Sequence, residues 1–71
     1  MKIGIIGLGF VGLCFASVLG SKGYSVIGVD LDKKKISKIS LGQPPFYEPQ
    51  LEKFLKLALK NGLSVSSEIS A

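Results

Sequence analysis

The sequence of 71 residues contains no arginine, no histidine and no tryptophan, and its one cysteine is Cys14. A single cysteine excludes an intramolecular disulfide, and no other residue pairs with it as a zinc ligand, so neither kind of cross-link is expected. Low-complexity tracts and internal repeats are also lacking. A chain of 71 residues forms at most one small domain. A single cysteine fits a reducing compartment.

Negative charge is scarce, because five acidic residues stand against nine lysines and leave a net charge of +4. A basic protein can bind nucleic acid or an anionic membrane. The lysines, however, are spread along the chain, and the aromatic residues that could stack on bases are not interleaved with them. We therefore expect a solvated basic surface and no nucleic-acid partner.

Charge is absent altogether from residues 3–21, a stretch that resembles a signal peptide or a membrane span. Five glycines lie within it, at the places where a strand, a turn and a helix need them. A second apolar strand and an acidic residue then follow, which a targeting segment would not require. The sequence therefore predicts a soluble, cytoplasmic protein with no membrane partner.

What the sequence does contain is a glycine motif between a strand pattern and a helix pattern. Gly7, Gly9 and Gly12 form G-x-G-x-x-G directly after an apolar run, and Asp30 follows Gly12 by 18 positions at the end of the next run. The motif alone is weak, because glycines are common. With the strand, the helix and the acidic residue in register, it is typical of a dinucleotide-binding βαβ unit rather than of a structural turn.

Each residue of the motif has a physical role. Gly7 lets the backbone leave the strand in a tight turn, Gly9 lets a pyrophosphate approach the main chain, and Gly12 lets the helix lie close to the sheet. The helix that begins near Phe10 directs its free N–H groups at the phosphates. Asp30 would accept hydrogen bonds from the adenosine ribose and repel a 2′-phosphate, so the sequence predicts NAD binding in preference to NADP.

Apolar periodicity and breaker residues predict six elements in the order β-α-β-α-α-β. Strands are predicted at residues 2–6, 24–30 and 63–66, and helices at 10–22, 33–41 and from Pro49 to a cap at Asn61 and Gly62, with a further helix beginning at Ser67. The fold class is therefore α/β, a Rossmann-like parallel sheet with flanking helices that is incomplete. Residues 1–71 are expected to be the N-terminal part of a longer NAD-binding domain and to fold only marginally alone.

Periodicity also predicts which faces are buried. The first strand is expected to be buried on both faces, as an internal parallel strand is. The first helix is expected to bury an apolar face, and Cys14 is expected to be a buried, inert thiol within it. The predicted apolar face of the first helix consists of Val11, Phe15, Val18 and Leu19, widened by Leu13 and Cys14, and that of the last helix of Leu51, Phe54, Leu55, Ala58 and Leu59.

Three segments together resemble the N-terminal end of the UDP-glucose/GDP-mannose (nucleotide-sugar) dehydrogenase family. They are GLGFVGL from Gly7, VIGVDLDKKKI from Val26 and GQPPFYEPQL from Gly42. The first segment is shared with many NAD-binding families, whereas the P-x-Y-E-P-x-L pattern in the third is far more specific. The family usually has a glycine where this chain has Gln50, which bears on the backbone of the loop around Glu48.

The resemblance implies an NAD-dependent enzyme that oxidises the C6 alcohol of a sugar nucleotide to a carboxylate with two NAD, in the service of polysaccharide synthesis. It implies a homo-oligomeric full-length protein whose nucleophilic cysteine and acid–base groups lie beyond residue 71, so no catalytic residue and no metal ligand is expected in this chain. The resemblance assigns cofactor-binding roles to Gly7, Gly9, Phe10, Val11, Gly12, Asp30 and Lys35.

Reasoning from the residues alone leaves the roles of Lys35 and Glu48 open. Lys35 is either part of a solvated first turn or a ligand of the ribose, and the resemblance favours the ligand. Glu48 is either near the active crevice or an acidic residue at a helix start. Alternative functions are an NAD-sensing module of a potassium transport system, an NAD-dependent hydroxyacid dehydrogenase and a purely structural fragment. The segment 46–59, a proline-bracketed loop and an amphipathic helix, argues against the first two.

Overall fold

The computed structural model describes residues 2–68 and contains all six predicted elements in the predicted order. They are β1 (Lys2–Ile6), α1 (Phe10–Ser21), β2 (Ser25–Val29), α2 (Lys33–Ser40), α3 (Leu51–Asn61) and β3 (Leu63–Ser66). Predicted ends at Lys22, Tyr24, Asp30 and Leu41 each lie one residue outside the observed element. Lys22 and Leu41 are instead the C-caps of α1 and α2.

The three strands form a parallel sheet in the order β1-β2-β3, which confirms the Rossmann-like α/β class. Val26 in the central strand lies opposite Ile3 on one side and Leu63 on the other. Because parallel strands end at the same edge, the residues that follow β1 and β2 are neighbours. The amide of Gly7 donates to the carbonyl of Val29 over 2.7 Å, which holds the glycine loop beside the end of β2.

β1 differs from the predicted strand that is buried on both faces. Within residues 2–68 it pairs only with β2 and forms one edge of the sheet, and none of its five residues is fully buried. Ile6 at its end is 75% exposed. A strand with one neighbour leaves part of its surface in solvent, and the apolar sequence of the strand does not reveal how many neighbours it has.

The buried face of α1 is only partly the predicted one. Val11 and Phe15, which belong to the predicted apolar face, are 78% and 59% exposed. Of the predicted face, Leu13 is fully buried and Cys14 and Leu19 are partly buried. The other buried residues of the helix, Ala16, Ser17 and Gly20, lie outside that face. The four buried residues follow the same helical spacing of three and four residues, so the period was right and the buried face overlaps the predicted face only in part.

The small size of most of these residues explains which face of α1 is buried, because α1 lies close against α3 and β3. A Cβ atom on Gly20 would lie 2.8 Å from the Cβ of Ala58 in α3 and 3.0 Å from the Cβ of Leu63 in β3. Ala16 and Ala58 are fully buried. Small side chains let the helix backbones approach closely, and protein interiors leave no space between such surfaces. Val11 and Phe15, which have larger side chains, are exposed.

The hydrophobic core lies between the sheet and the three helices. α3 contributes its predicted stripe, with Leu51, Leu55 and Ala58 buried and Phe54 and Leu59 partly buried. The glycine loop and α2 each contribute one fully buried side chain. The core residues are Leu8, Leu13, Ala16, Val26, Ile39, Leu51, Leu55, Ala58 and Leu63.

The start of α3 differs from the prediction that Pro49 is its first residue. The helix begins at Leu51, and Gln50 is its N-cap. The amide of Leu51 donates to the carbonyl of Glu48 over 3.0 Å, so Pro49 is the second residue of a turn that leads into the helix. Proline favours this position because its φ is already fixed near the required value.

Other predicted ends and pairs are confirmed. Gly23 and Gly42 follow α1 and α2 with φ angles of +95° and +81°, in the left-handed region that favours glycine. Lys56 and Glu52 form an exposed ion pair of 2.9 Å on α3. A further helix was predicted to begin at Ser67; its residues after 68 lie outside the described residues. Among the described helices, none combines the length and the apolar character that crossing a bilayer requires.

Replacing Gly20 by valine should disrupt the contact between α1 and α3. The added side chain has no space beside Ala58 and Leu63, so we expect the free energy of unfolding to fall by about 1–3 kcal/mol. Urea unfolding followed by circular dichroism measures this change. Gly4→Val is the matched control, because a Cβ on Gly4 meets no atom within 4 Å. Equal unfolding midpoints for the two variants would contradict the proposed contact.

Candidate functional site

The glycine motif forms the loop between β1 and α1, and the structure explains two of its three glycines by the fold. Gly7 has φ of +89°, a conformation that residues with a side chain rarely adopt. A Cβ on Gly12 would overlap the carbonyl oxygen of Gly7. Gly12 therefore lets the first turn of α1 rest directly on the loop, in agreement with the close helix packing predicted for it.

Gly9 differs from its two neighbours in the motif because the fold does not require it. Its φ is −71°, and a Cβ there would meet no heavy atom within 4 Å. The space in front of Gly9 is therefore open. A glycine in an ordinary conformation beside open space is the arrangement expected where a ligand approaches the backbone.

The N-terminus of α1 offers hydrogen-bond donors to that same space. Gly9 is its N-cap and has no side chain to cap the helix, and no acidic residue lies in the first turn of this fully described helix. The amide of Leu13 donates to the carbonyl of Gly9 over 2.8 Å, so the amides of Phe10, Val11 and Gly12 precede the first helical hydrogen bond. Free amides and the positive end of the helix dipole favour an anion here.

Asp30 lies just after β2 and ties three segments together. Its Oδ2 accepts from the amide of Leu8 in the glycine loop over 2.9 Å and from Nζ of Lys35 in α2 over 3.1 Å. Its Oδ1 accepts from the amide of Asp32 over 2.9 Å. The Asp30 side chain is only 15% exposed. A carboxylate has about four acceptor positions, so three donors leave room on Oδ1 for one further donor.

These contacts favour the ionised form of Asp30. The amide of Asp32 is the largest cause, followed by the amide of Leu8, and the hydrogen bond and charge of Lys35 act in the same direction. Partial burial opposes them, but the pKa of the Asp30 carboxyl remains below its ordinary value of 3.8. The site therefore presents a stable negative charge to any ligand near neutral pH.

Lys35 approaches Asp30 because α2 begins in a defined way. Asp32 is the N-cap of α2, as predicted, and its Oδ1 accepts from the amide of Lys35 over 3.1 Å. Lys35 is then one turn into the helix, and its side chain reaches back to the end of β2. Its side chain is 25% exposed. Of the two roles considered for Lys35, the structure excludes a fully solvated side chain.

An apolar pocket of about 240 Å³ lies beside Asp30, and it was not predicted from the sequence. Its lining residues are Ile6, Gly7, Val29, Asp30 and Leu31. Ile6 and Leu31 are 75% and 73% exposed despite their apolar side chains. The only sequence signal for this pocket was an apolar residue, Leu31, directly after the acidic residue. Its exposure could not be inferred, because it depends on how the end of β1 lies beside the end of β2. An exposed apolar pocket next to a carboxylate suits a ligand with a flat apolar ring and a polar group.

A second apolar pocket, of about 230 Å³, lies between α1 and the start of α3. Phe10, Cys14 and Glu48 are among its lining residues. Cys14 was predicted to be a buried thiol, and it is only partly buried, packed against the core beside this pocket. The ring of Phe10 packs on that of Phe46 with centroids 5.2 Å apart, which joins the glycine loop to the proline-rich segment.

Glu48 and Gln50 belong to the start of α3. The Oε1 atom of Glu48 accepts from the amide of Gln50 over 2.8 Å, so the structure supports the helix-start role of Glu48. Gln50 has φ of −89° and ψ of −19°, an ordinary helical conformation. A glycine is therefore not needed at this position for the turn to form.

Comparison with known proteins gives a consistent result along the whole chain. Residues 1–71 match the NAD binding domain of the UDP-glucose/GDP-mannose dehydrogenase family. GDP-mannose 6-dehydrogenase of Pseudomonas putida is 45% identical over 62 residues, which are 87% of this chain and 14% of that protein. The chain thus spans about one-seventh of the length of this curated relative.

Solved structures agree in fold and in sequence. A ternary complex of GDP-mannose dehydrogenase from Pseudomonas aeruginosa superposes with a TM-score of 0.89 and 40% identity, over 96% of this chain and 16% of that one. UDP-N-acetyl-mannosamine dehydrogenase of Staphylococcus aureus has a TM-score of 0.89 and 33% identity, over 100% of this chain and 18% of that one. Both are far longer than the segment that matches.

The lowered pKa of Asp30 should make the protein less stable in acid. The stability that ionised Asp30 contributes is fully present above its ordinary pKa of 3.8 and is lost as the pH falls through the lower pKa of the folded protein. We expect the difference in unfolding free energy between the wild type and Asp30→Asn to shrink between about pH 5 and pH 2. Urea unfolding at a series of pH values measures it. The exposed Glu52→Gln is the control, and a difference for Asp30→Asn that stays constant with pH would contradict the prediction.

Proposed function

Because this chain belongs to the UDP-glucose/GDP-mannose dehydrogenase family and matches its NAD-binding domain, we propose that residues 1–71 hold the adenosine and pyrophosphate portions of NAD. The proposal includes a domain assignment: residues 1–71 are the N-terminal part of that domain in a longer enzyme. The observation that carries it is the position of the ionised Asp30 beside the open glycine loop, with an amide of that loop bonded to its carboxylate.

The pyrophosphate would lie at the N-terminus of α1. Gly9 leaves the space open, and Phe10, Val11 and Gly12 supply the amides of the first turn. Gly7 shapes the turn that brings these amides beside the end of β2. Negative charge at this helix end is stabilised by both the free N–H groups and the helix dipole.

The adenosine ribose would lie against Asp30 and Lys35. Asp30 has one acceptor position left on Oδ1, and Nζ of Lys35 uses one of its three donors on Asp30. One ribose hydroxyl can therefore donate to the carboxylate, and a hydroxyl oxygen can accept from the lysine. The adjoining apolar pocket, with Leu31 at its rim, suits the flat face of adenine. A 2′-phosphate would bring its charge next to the carboxylate, which favours NAD over NADP.

The proposed activity of the full-length enzyme is that of a nucleotide-sugar 6-dehydrogenase similar to UDP-glucose 6-dehydrogenase: oxidation of the C6 alcohol of the sugar nucleotide to a carboxylate with two NAD. Bound NAD supplies a hydride acceptor. The names of the relatives, GDP-mannose 6-dehydrogenase and UDP-N-acetyl-mannosamine dehydrogenase, support a nucleotide-sugar substrate. Polysaccharide-precursor synthesis in the cytoplasm by a homo-oligomer belongs to the same proposal. The part played by the described residues is to bind and orient the cofactor.

An amide-resolved NMR titration of this chain with NAD and NADP tests the proposal. We expect NAD to shift the amides of Gly7, Gly9, Phe10, Val11 and Gly12. Because the 2′-phosphate is repelled by Asp30, we expect NADP to bind about ten-fold more weakly, which corresponds to about 1.4 kcal/mol. Asp30→Ala should remove most of the difference between the two cofactors.

Glu52→Gln is the matched control, because it removes a carboxylate that pairs with a lysine on the far helix α3. It should leave both dissociation constants unchanged. A folded wild-type chain whose glycine-loop amides do not respond to millimolar NAD would show that the proposed function is wrong.

Gly9→Ala should separate binding from folding. The added methyl group meets no protein atom within 4 Å, so we expect the unfolding free energy to change by less than about 1 kcal/mol. The same methyl group occupies the space proposed for the pyrophosphate, so NAD affinity should fall more than ten-fold. Gly12→Ala is the contrasting variant, because its Cβ overlaps the Gly7 carbonyl and should lower stability as well. Undiminished NAD affinity in Gly9→Ala would contradict the proposed binding position.

A further inference from the structure

Two of the three donors to the Asp30 carboxylate come from the segment that starts α2. They are the amide of Asp32, over 2.9 Å, and Nζ of Lys35, over 3.1 Å. The third donor, the amide of Leu8, comes from the glycine loop. The orientation of Asp30 therefore depends on where the first turn of α2 lies relative to the end of β2.

Asp32 fixes that first turn. Its backbone is extended, with φ of −77° and ψ of 101°, and its Oδ1 accepts from the amide of Lys35 over 3.1 Å. Its carbonyl accepts from the amide of Ile36 over 3.0 Å, which is the first helical hydrogen bond. One residue thus donates to Asp30 through its amide and places Lys35 through its carboxylate.

The start of α2 has little other support. The helix has eight residues, begins with three consecutive lysines and has no acidic residue in its first turn. Cations at a helix N-terminus oppose the helix dipole, and helices this short are marginal without a cap or tertiary contacts. Ile39, its one fully buried residue, lies in the last turn, and Ile36 near the start is only partly buried against the core.

We propose that Asp32 is a positioning residue for cofactor selection: by capping α2 it holds Lys35 and Asp30 together and so sets the preference for NAD over NADP. The proposal rests on the function proposed above. Without the cap, the first turn of α2 opens and Lys35 leaves the carboxylate. Lys33, Lys34 and Lys35 are then free to approach a 2′-phosphate, so affinity for NAD falls while affinity for NADP is retained.

Substitutions at Asp32 distinguish the effect of its capping hydrogen bond from the effect of its negative charge. Asp32→Asn keeps a capping oxygen at the right distance and removes the negative charge. Asp32→Glu keeps the charge, but its additional methylene group moves the carboxylate away from the amide of Lys35. Asp32→Ala removes both. If capping is the cause, Asp32→Glu and Asp32→Ala should behave alike and Asp32→Asn should resemble the wild type.

The measurement is the dissociation constant of NAD and of NADP by amide shift titration of this chain and its variants. We expect Asp32→Ala and Asp32→Glu to bind NAD about five-fold more weakly, with the ratio of NADP to NAD dissociation constants reduced by a similar factor. Asp32→Asn should stay within about two-fold of the wild type in both values.

Ser37→Gly is the matched control for a general loss of helix stability. Ser37 is an exposed interior residue of the same helix, and glycine there lowers helix propensity without touching the cap. We expect it to weaken NAD and NADP binding equally, if at all, and so to leave their ratio unchanged. Asp32→Glu provides the test if Asp32→Ala fails to fold.

The outcomes distinguish this inference from the function on which it rests. A wild-type chain that does not bind NAD overturns the proposed function. A wild-type chain that binds NAD, together with Asp32→Glu and Asp32→Ala variants that keep its NADP to NAD ratio, overturns only the role of Asp32. A ratio that falls in Asp32→Asn and not in Asp32→Glu would assign the effect to charge and would also overturn it.

Discussion

The hydrogen bonds of one carboxylate hold the candidate site together. Asp30 accepts from the glycine loop through the amide of Leu8, from its own turn through Asp32 and from α2 through Lys35. Asp32 and Lys35 follow Asp30 closely in the sequence, whereas Leu8 is 22 residues away and is adjacent only because β1 and β2 are parallel neighbours. The parallel sheet therefore brings the glycine loop next to the end of β2, and the hydrogen bonds of the Asp30 carboxylate fix the loop and the start of α2 in place.

The element order, the cap at Asp32 and the glycine motif could be predicted because each depends on residues close in sequence. The buried face of α1 could be predicted only in part. Gly20 packs against Ala58 of α3 because it has no side chain, and that requirement is visible only once the partner helix is in place. The start of α3 was missed for a related reason, because a turn through Pro49 and a helix beginning at Pro49 have the same local sequence preference.

Within the candidate site too, features set by nearby residues could be predicted, and features set by contacts between distant segments could not. Gly7, Gly12 and Asp30 occupy the places that the motif predicts, and the resemblance to the family singled out Lys35, whose contact with Asp30 the structure shows. Lys35 could not be assigned from its residue type, because an exposed lysine at the start of a helix is common and its reach depends on the angle between α2 and β2. Leu31 was not predicted at all, since its pocket is completed by Ile6 from the neighbouring strand.

The lysines at the start of α2 have a kinetic consequence. Asp30 offsets the charge of Lys35, but Lys33 and Lys34 are exposed and directly follow Asp32. They add positive charge to the segment beside Asp30, whose carboxylate contacts the glycine loop, in a chain whose net charge is +4. Such a field raises the rate at which a phosphate-bearing ligand encounters the site and loses its reach as salt shortens the Debye length. If the glycine loop binds NAD as proposed, the lysine run that opposes the dipole of α2 also speeds the encounter with the dinucleotide.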